Sequence, residues 1–227
     1  MRGKAGLVSA RVFPKVELLL HFDGSNGSTT FTDSSSNALA VTAFNGAALS
    51  TSQAKFGTAS LELDGVDSYA EATSQQLAVG FSDFTIECWF YARDVGSKSQ
   101  CIFEYATLLV GFVDESAGLG GNVMYAGDSG GNPLAYGTVV EEDVWHHVAL
   151  TRQAETMRLF FNGALVGNEW QSAEFLSTNT DTGNVLRLGD LSWNAGQVTL
   201  DGFIDEFRIV KHEAVWVSNF TPPTSAY

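Results

Sequence analysis

Apolar and polar residues alternate along most of this chain, and no long stretch repeats at the 3.6-residue period of a helix. DFTIECWFYAR is the clearest case. Phe84, Ile86, Cys88 and Phe90 fall on one face, and Thr85, Glu87, Trp89 and Tyr91 on the other. Bulky groups on both faces predict a central strand covered on each side. KVELLLHFDG predicts a first strand running into a turn, and AVTAFNGAALS and KFGTASLELDG predict short strands. SYAEATS resumes after a tight DGVD turn. QCIFEYATLLVGFVD continues as one or two strands, and DVWHHVALTR as another. ETMRLFFNGALVGNEW reads as two strands about Asn162-Gly163, because both residues accept the positive φ of a short hairpin turn. NVLRLGD and GFIDEFRIV supply the last two strands. Glycine-rich ESAGLGGNVMYAGDSGGNPLAYG is a long hairpin or a surface loop, and KHEAVWVSN a short helix or turn.

Roughly a dozen short strands separated by turn chemistry predict an all-β fold, an antiparallel β-sandwich or jelly roll. The 227 residues, 44% of them hydrophobic, suffice for one core. No linker or repeat interrupts the chain after its start. The expected organisation is a basic N-terminal arm over residues 1–15 and a single domain with a C-terminal tail over 16–227.

Charge refines this picture. The net charge is −14, yet MRGKAGLVSARVFPK carries Arg2, Lys4, Arg11 and Lys15 and no acid, so the remainder stands at −18. An acidic body repels phosphates and excludes a nucleic-acid partner. The basic head is either a solvated leader or an arm that docks on an acidic partner. No 18-residue apolar run is present, so membrane insertion is not expected. AGLVSARVF is broken by Arg11 and makes a poor signal peptide. Pairing strands symmetrically about RDVGSKS would place Cys88 opposite Cys101, so a cross-strand disulfide is geometrically open; without an export signal, two reduced thiols are the expected state.

Several segments together resemble the laminin-G-like jelly rolls of the concanavalin A-like lectin/glucanase superfamily. They are FGTASLELDGVDSYAEA, FTIECWFYA, WHHVALTR, MRLFFNGALV, LRLGD and GFIDEFRIVKHEAVW, in the family's order and covering most of residues 16–217. The ending VWVSNFTPPTSAY is similar to versions of this domain in tailed-phage virion proteins. The resemblance settles the fold better than the ligand, because the fold hosts lectins, enzymes and structural modules.

GFIDEFRIV raises the question of catalysis. On a regular strand Asp205 and Glu206 project to opposite faces, whereas a retaining glycosidase needs both carboxyl groups on one face, roughly 5 Å apart. The Glu-x-Asp-x-x-Glu pattern of the superfamily's glucanases is absent. Glu206 and Arg208, two apart, read as a surface ion pair. Asp205, among Phe203 and Phe207, needs backbone donors, a basic group or a cation. The resemblance implies a structural Ca2+ where first and last strands meet, with Asp23 and Asp205 as ligands and Asp33 as a further donor. Asp64 and Asp67 belong to the DGVD turn. The adjacent His146 and His147 point opposite ways and cannot share a metal; His147 is read as a packing or hydrogen-bonding residue, and Trp89 and Trp145 as core. Phosphate-loop, zinc and nucleophile-elbow motifs are absent.

Sugar sites combine an aromatic platform with planar polar groups. Trp193 in LGDLSWNAGQ, beside Asn194, leads the candidates, followed by Trp170, Tyr125 and Tyr136; Asn168 and Asp128 are further polar partners. The expected function is a non-catalytic carbohydrate- or receptor-recognition module. It is expected on an exposed phage virion component such as a tail fibre or decoration, assembled in the host cytoplasm and binding host-surface glycan. Its partners would be other virion proteins met through the basic arm, and further copies of itself in a homo-oligomeric assembly. The alternative is a structural decoration or connector protein with protein contacts alone.

Overall fold

The computed structural model describes residues 14–114, 117–119, 121–130, 132–174, 176 and 185–227. Its strands begin with β1 (Lys15–Leu20), β2 (Thr42–Phe44), β3 (Ala48–Ser50), β4 (Ser60–Asp64), β5 (Tyr69–Ala72), β6 (Phe84–Ala92), β7 (Gln100–Tyr105) and β8 (Leu108–Val113). They continue with β9 (Val123–Asp128), β10 (Pro133–Val139), β11 (Trp145–Gln153), β12 (Thr156–Phe161), β13 (Ala164–Leu165), β14 (Trp170–Gln171), β15 (Leu186–Leu188) and β16 (Asp201–Lys211). A nine-stranded sheet runs β13-β12-β11-β6-β16-β4-β3, with β1 also paired to β16 and β14 to β12. A seven-stranded sheet runs β10-β9-β8-β7-β15-β5-β2. All described pairings between strands are antiparallel, giving the β-sandwich that alternation predicts.

The core lies between the two inner faces. Phe84, Ile86, Cys88 and Phe90 of β6 point into it together with Val148 and Leu150 of β11 and Ile204, Phe207 and Ile209 of β16. They meet Ile102, Phe103 and Tyr105 of β7 and Val110 and Phe112 of β8. Phe103 contacts Phe207 edge-on with centroids 5.7 Å apart, and Phe90 stacks on Phe112 at 6.2 Å. Each fully buried Phe or Leu contributes about 1.5–3 kcal/mol, so these inward rows hold the sheets together.

Two local expectations change. The RDVGSKS turn does not close a hairpin: β6 lies in the nine-stranded sheet and β7 in the seven-stranded one. Cys88 and Cys101 therefore sit in different sheets, both buried and both free. Gln100 Nε2, bonded to Asp94 O at 2.6 Å, ties this crossing down. By contrast β12 and β13 do pair about Asn162-Gly163, at φ 49° and 79°. Second, β16 is not regular. Its register against β6 shifts between Asp205↔Trp89 and Arg208↔Glu87, and Glu206 takes φ 50°. This bulge adds one residue, so Ile204 before it and Phe207 after it both face the core. Asp205 and Glu206 end up together on the outer side, contrary to the regular-strand reading.

The C-terminal segment after β16 forms bends and covers part of the outer face of the nine-stranded sheet. Thr85 Oγ1 donates to Glu213 O and Thr151 Oγ1 to Trp216 O. Trp216 stacks on Phe220 at 3.9 Å, and Phe220 meets His147 and Phe160 edge-on. Below it, Arg208 Nε bonds Glu87 Oε1 at 2.6 Å, so Arg208 pairs with Glu87 and not with Glu206. Trp145, expected in the core, is half-buried on this outer face, edge-on to Tyr91. Trp89 is buried there too, beneath Phe56 and Lys55. Of the expected arm, Arg2, Lys4 and Arg11 lie outside the described residues; Lys15 opens β1 and pairs with Glu17 at 2.6 Å.

Candidate functional site

The outer face of the seven-stranded sheet carries a cleft of about 360 Å³. Its floor follows from strand register. Cys101 of β7, Gly111 of β8 and Tyr125 of β9 lie in one cross-strand row, and Leu109 lies in the next. Residues opposed across strands share a face, so this row points away from the core. A bulge between Cys101 and Phe103 turns Ile102 and Phe103 inward together and leaves Cys101 and Glu104 outside. Gly111 is required here, because a Cβ would lie 2.1 Å from Gln100 O. Gly127, two residues after Tyr125 on the same face, leaves room for the phenol: a Cβ there would lie 2.3 Å from Tyr125 Oη. Burial, then the Asp128 charge, raises the Tyr125 pKa.

One wall is the loop between β15 and β16. Asp190 is fully buried, and its Oδ2 accepts Gly196 N at 2.9 Å. Glu104 accepts Ser192 N at 2.5 Å and Ser192 Oγ at 2.7 Å. Burial raises the pKa of the Glu104 carboxyl, and the Ser192 bonds only partly oppose it. These anchors bracket Trp193, which remains 50% exposed. Asn194 stands beside it, and its side-chain amide makes no hydrogen bond to the described residues. Leu109, Leu191, Val198 and Pro133 complete an apolar lining.

Three of the five expected ligand residues, Trp193, Asn194 and Tyr125, thus meet in one cleft. Tyr136 is the cross-strand partner of Tyr125 and is exposed, but it does not line the cleft. Trp170 lies elsewhere, on β14 against Met157 in the other sheet, half-buried against the core. Asp128 folds the β9–β10 turn by accepting Gly130 N and Asn132 N. Sequence reading missed Leu109, which looks like a core residue within an apolar run, and Glu104, whose outward placement depends on the bulge.

The expected calcium ligands are not gathered. Asp33 accepts Leu19 N, Ser35 N and Leu39 N, folding its own turn. Asp23 accepts Thr58 N at 2.5 Å and Thr58 Oγ1 at 2.9 Å. Asp205 accepts Lys55 N, Phe56 N and Glu206 N at 2.8, 3.2 and 2.8 Å, so the buried carboxyl finds backbone donors in the same 55–58 turn that Asp23 holds. Among the described residues no group of three or more His, Cys, Asp or Glu side chains could hold a metal ion. As placed, Asp33 and Asp205 already accept backbone N–H groups at both oxygens, and Asp23 accepts from Thr58 through Oδ1, so the three aspartates do not converge on a shared calcium position. Asp205 and Glu206 also fail as a catalytic pair, since Glu206 is occupied by His21 Nδ1 at 2.9 Å and Tyr227 N at 3.1 Å. His147 is fully buried, with Nε2 3.1 Å from Tyr227 Oη and 3.2 Å from Glu87 Oε2.

Comparison with solved structures places this sandwich among sugar-related and toxin domains. Domain 4 of AbnA, an extracellular arabinanase of Geobacillus stearothermophilus solved with arabinotriose, is 17% identical with a TM-score of 0.60, covering 87% of this chain and 93% of that domain. The binding domain of Paraclostridial Mosquitocidal Protein 1 is 13% identical with a TM-score of 0.60, over 91% of this chain. Trypanosoma rangeli sialidase with sialic acid is 10% identical with a TM-score of 0.62, over 90% of this chain. The chain spans 50% of the toxin domain and 31% of the sialidase. At these identities the likeness is one of fold. No curated protein sequence matches the chain significantly. A family profile matches residues 64–215, and on that match the chain belongs to the Laminin_G_3 family of the concanavalin A-like lectin/glucanases superfamily.

Proposed function

We propose that this chain is a non-catalytic carbohydrate- or receptor-recognition module whose binding site is the cleft between Trp193 and Tyr125. The observation that carries the reading is the Trp193 indole, half exposed beside the free Asn194 amide and held by anchors behind it. Indole faces pack on sugar C–H faces, and a planar amide bonds hydroxyls. No Asp, Glu or His lines the cleft among the described residues, which favours binding over hydrolysis. The arabinotriose complex of AbnA domain 4 and the binding domain of the mosquitocidal toxin support the reading by analogy of fold.

The finer reading is a phage virion component that binds host-surface glycan; its motivation is the ending VWVSNFTPPTSAY. The rival is a structural decoration or connector subunit. A Trp193 still open in the assembled particle would favour recognition, whereas a connector would cover it with neighbours. The test is a broad bacterial-glycan panel with purified protein, with calcium and with chelator, alongside Trp193→Ala. Binding lost in the folded variant supports the module, and the chelator arm tests the expected cation. A folded protein that binds nothing across the panel points to the structural role, and its presence in purified particles would then decide the virion assignment.

A further inference from the structure

A second cleft, of about 590 Å³, opens on the outer face of the other sheet, beside the C-terminal segment. Its lining includes Lys55, Phe56, Trp89, Trp145, Asn162 and Pro222. The ammonium of Lys55 stands 3.8 Å from the Trp89 ring centroid and 5.7 Å from that of Phe56. It makes no hydrogen bond or ion pair, and among the described basic side chains it is the exception. Lys15, Arg93, Arg158, Arg187 and Arg208 pair with carboxylates. Lys98, Arg152 and Lys211 bond backbone carbonyls. Among the described cations Lys55 alone has neither a carboxylate nor a carbonyl partner, and it sits in a cleft.

A second donor in this lining also lacks a partner. Trp89 is 6% exposed and its indole Nε1 has no acceptor. Such a group loses about 1–3 kcal/mol when desolvated and unpaired; its Nε1 is closed to solvent, so the indole N–H reports on the cleft wall and is not itself a ligand contact. His146 is already engaged, through Nε2 with Glu141 O and Nδ1 with Asn162 Nδ2, and is not a competing donor. The one acidic side chain of the lining, Glu141, is not within ion-pair distance of Lys55. Half-buried Trp145 adds ring surface to the wall. The backbone at Lys55 is fixed by the hydrogen bond that its N–H donates to Asp205 Oδ2, so the side chain leaves from a rigid point. Burial lowers the Lys55 pKa, as expected for a cation lacking a counter-charge.

We infer that this cleft is a second binding site, independent of the first, for a carboxylate-bearing saccharide. The carboxylate would take the ammonium of Lys55, over the face of Trp89, and the ring would lie along Trp145 and Phe56. A charge-assisted bond from a partly desolvated ammonium is the strong kind, and aromatic walls accept the apolar face of a pyranose.

The test uses the full chain, 15N-labelled, titrated with methyl β-glucuronide, methyl β-glucoside and acetate while the indole N–H resonances are followed. The glucuronide is expected to move the Trp89 indole resonance, with the glucoside and acetate each at least about tenfold weaker. Lys55→Met should weaken glucuronide binding by a similar factor, Lys55→Arg should restore it, and Trp193→Ala should leave it unchanged. Retained thermal unfolding in Lys55→Met checks its fold, and Trp145→Ala provides an independent loss of affinity from the opposite wall. Equal binding of glucoside and glucuronide, equal binding of acetate, no response at the Trp89 indole, or loss in Trp193→Ala would each overturn the proposal. Because the last variant removes the first site alone, failure here and failure of the Trp193 cleft are separable.

Discussion

Phe220 N donates to Gly163 O at 2.9 Å, and a Cβ on Gly163 would lie 2.0 Å from Phe220 O. The hairpin glycine therefore serves twice: it takes positive φ in its turn, and its bare Cα lets the C-terminal segment cross it. Gly163→Ala should push that segment away and cost about 1–3 kcal/mol in overpacking and backbone strain. The checks are a lower Tm and faster protease cleavage between Trp216 and Tyr227. A variant with unchanged Tm and a protected segment would show that the crossing is not tight.

Arg208 and Glu87 form the buried pair beneath that segment, with the Tyr227 ring 3.7 Å from the guanidinium. Burial acts to raise the Glu87 pKa, but the hydrogen bond to His147 and the charge of Arg208 outweigh it and hold the carboxyl below its ordinary range. Arg208→Met leaves that carboxylate without its cation and should cost about 3–5 kcal/mol in urea unfolding. Glu87→Gln combined with Arg208→Met should recover part of the loss, since no lone charge stays buried. Additive losses in the double variant would rule out the coupling.

Asp205 predicts a pH effect. Burial is the main cause raising its pKa to about 7; the neighbouring Glu206 charge adds to it, and the three amide bonds oppose it. The folded state thus keeps a proton that the unfolded chain, with an ordinary Asp pKa of about 3.9, has released. Stability contributed by this group falls as pH rises from about 4 to 7, by at most about 1.4 kcal/mol per unit, and is level above that window. Asp205→Asn should flatten this slope with little loss at pH 4.5, because its Oδ1 can accept from Lys55 N and Phe56 N as the neutral acid's carbonyl does, leaving only Glu206 N facing the NH2. Parallel pH profiles of Tm for wild type and variant would contradict the assignment.

Glu104 positions the Trp193 loop through Ser192. Glu104→Leu removes both acceptors and should weaken ligand binding at the first cleft, with an unfolding cost of about 1–3 kcal/mol from the orphaned Ser192 amide. Glu104→Gln, which can accept from the amide and donate to the hydroxyl, should bind nearly as wild type. Trp fluorescence titration with a glycan identified by the panel separates the two; equal binding by both variants would remove Glu104 from the site.

Alternation alone separated the two faces of β6 and β11, although Trp89 and Trp145, read as core, lie on the outer ones, and turn chemistry placed the hairpin at Asn162-Gly163, because side-chain period and positive φ are local properties. The exposure of Trp193 was legible for the same reason: a tryptophan in a polar, glycine-containing loop has little to bury it. Partition into sheets was not legible. RDVGSKS has the composition of a hairpin, yet the chain crosses there, since β6 gains two fully paired neighbours, β11 and β16, that come from far along the sequence. The bulge at Glu206 likewise follows from long-range contacts with His21 and Tyr227, and it moved Asp205 to where the 55–58 turn supplies its donors. Both clefts are made of residues from distant strands that touch only once the sheets have stacked. Local pattern decides the strands, and tertiary packing decides which of their outward residues share a surface.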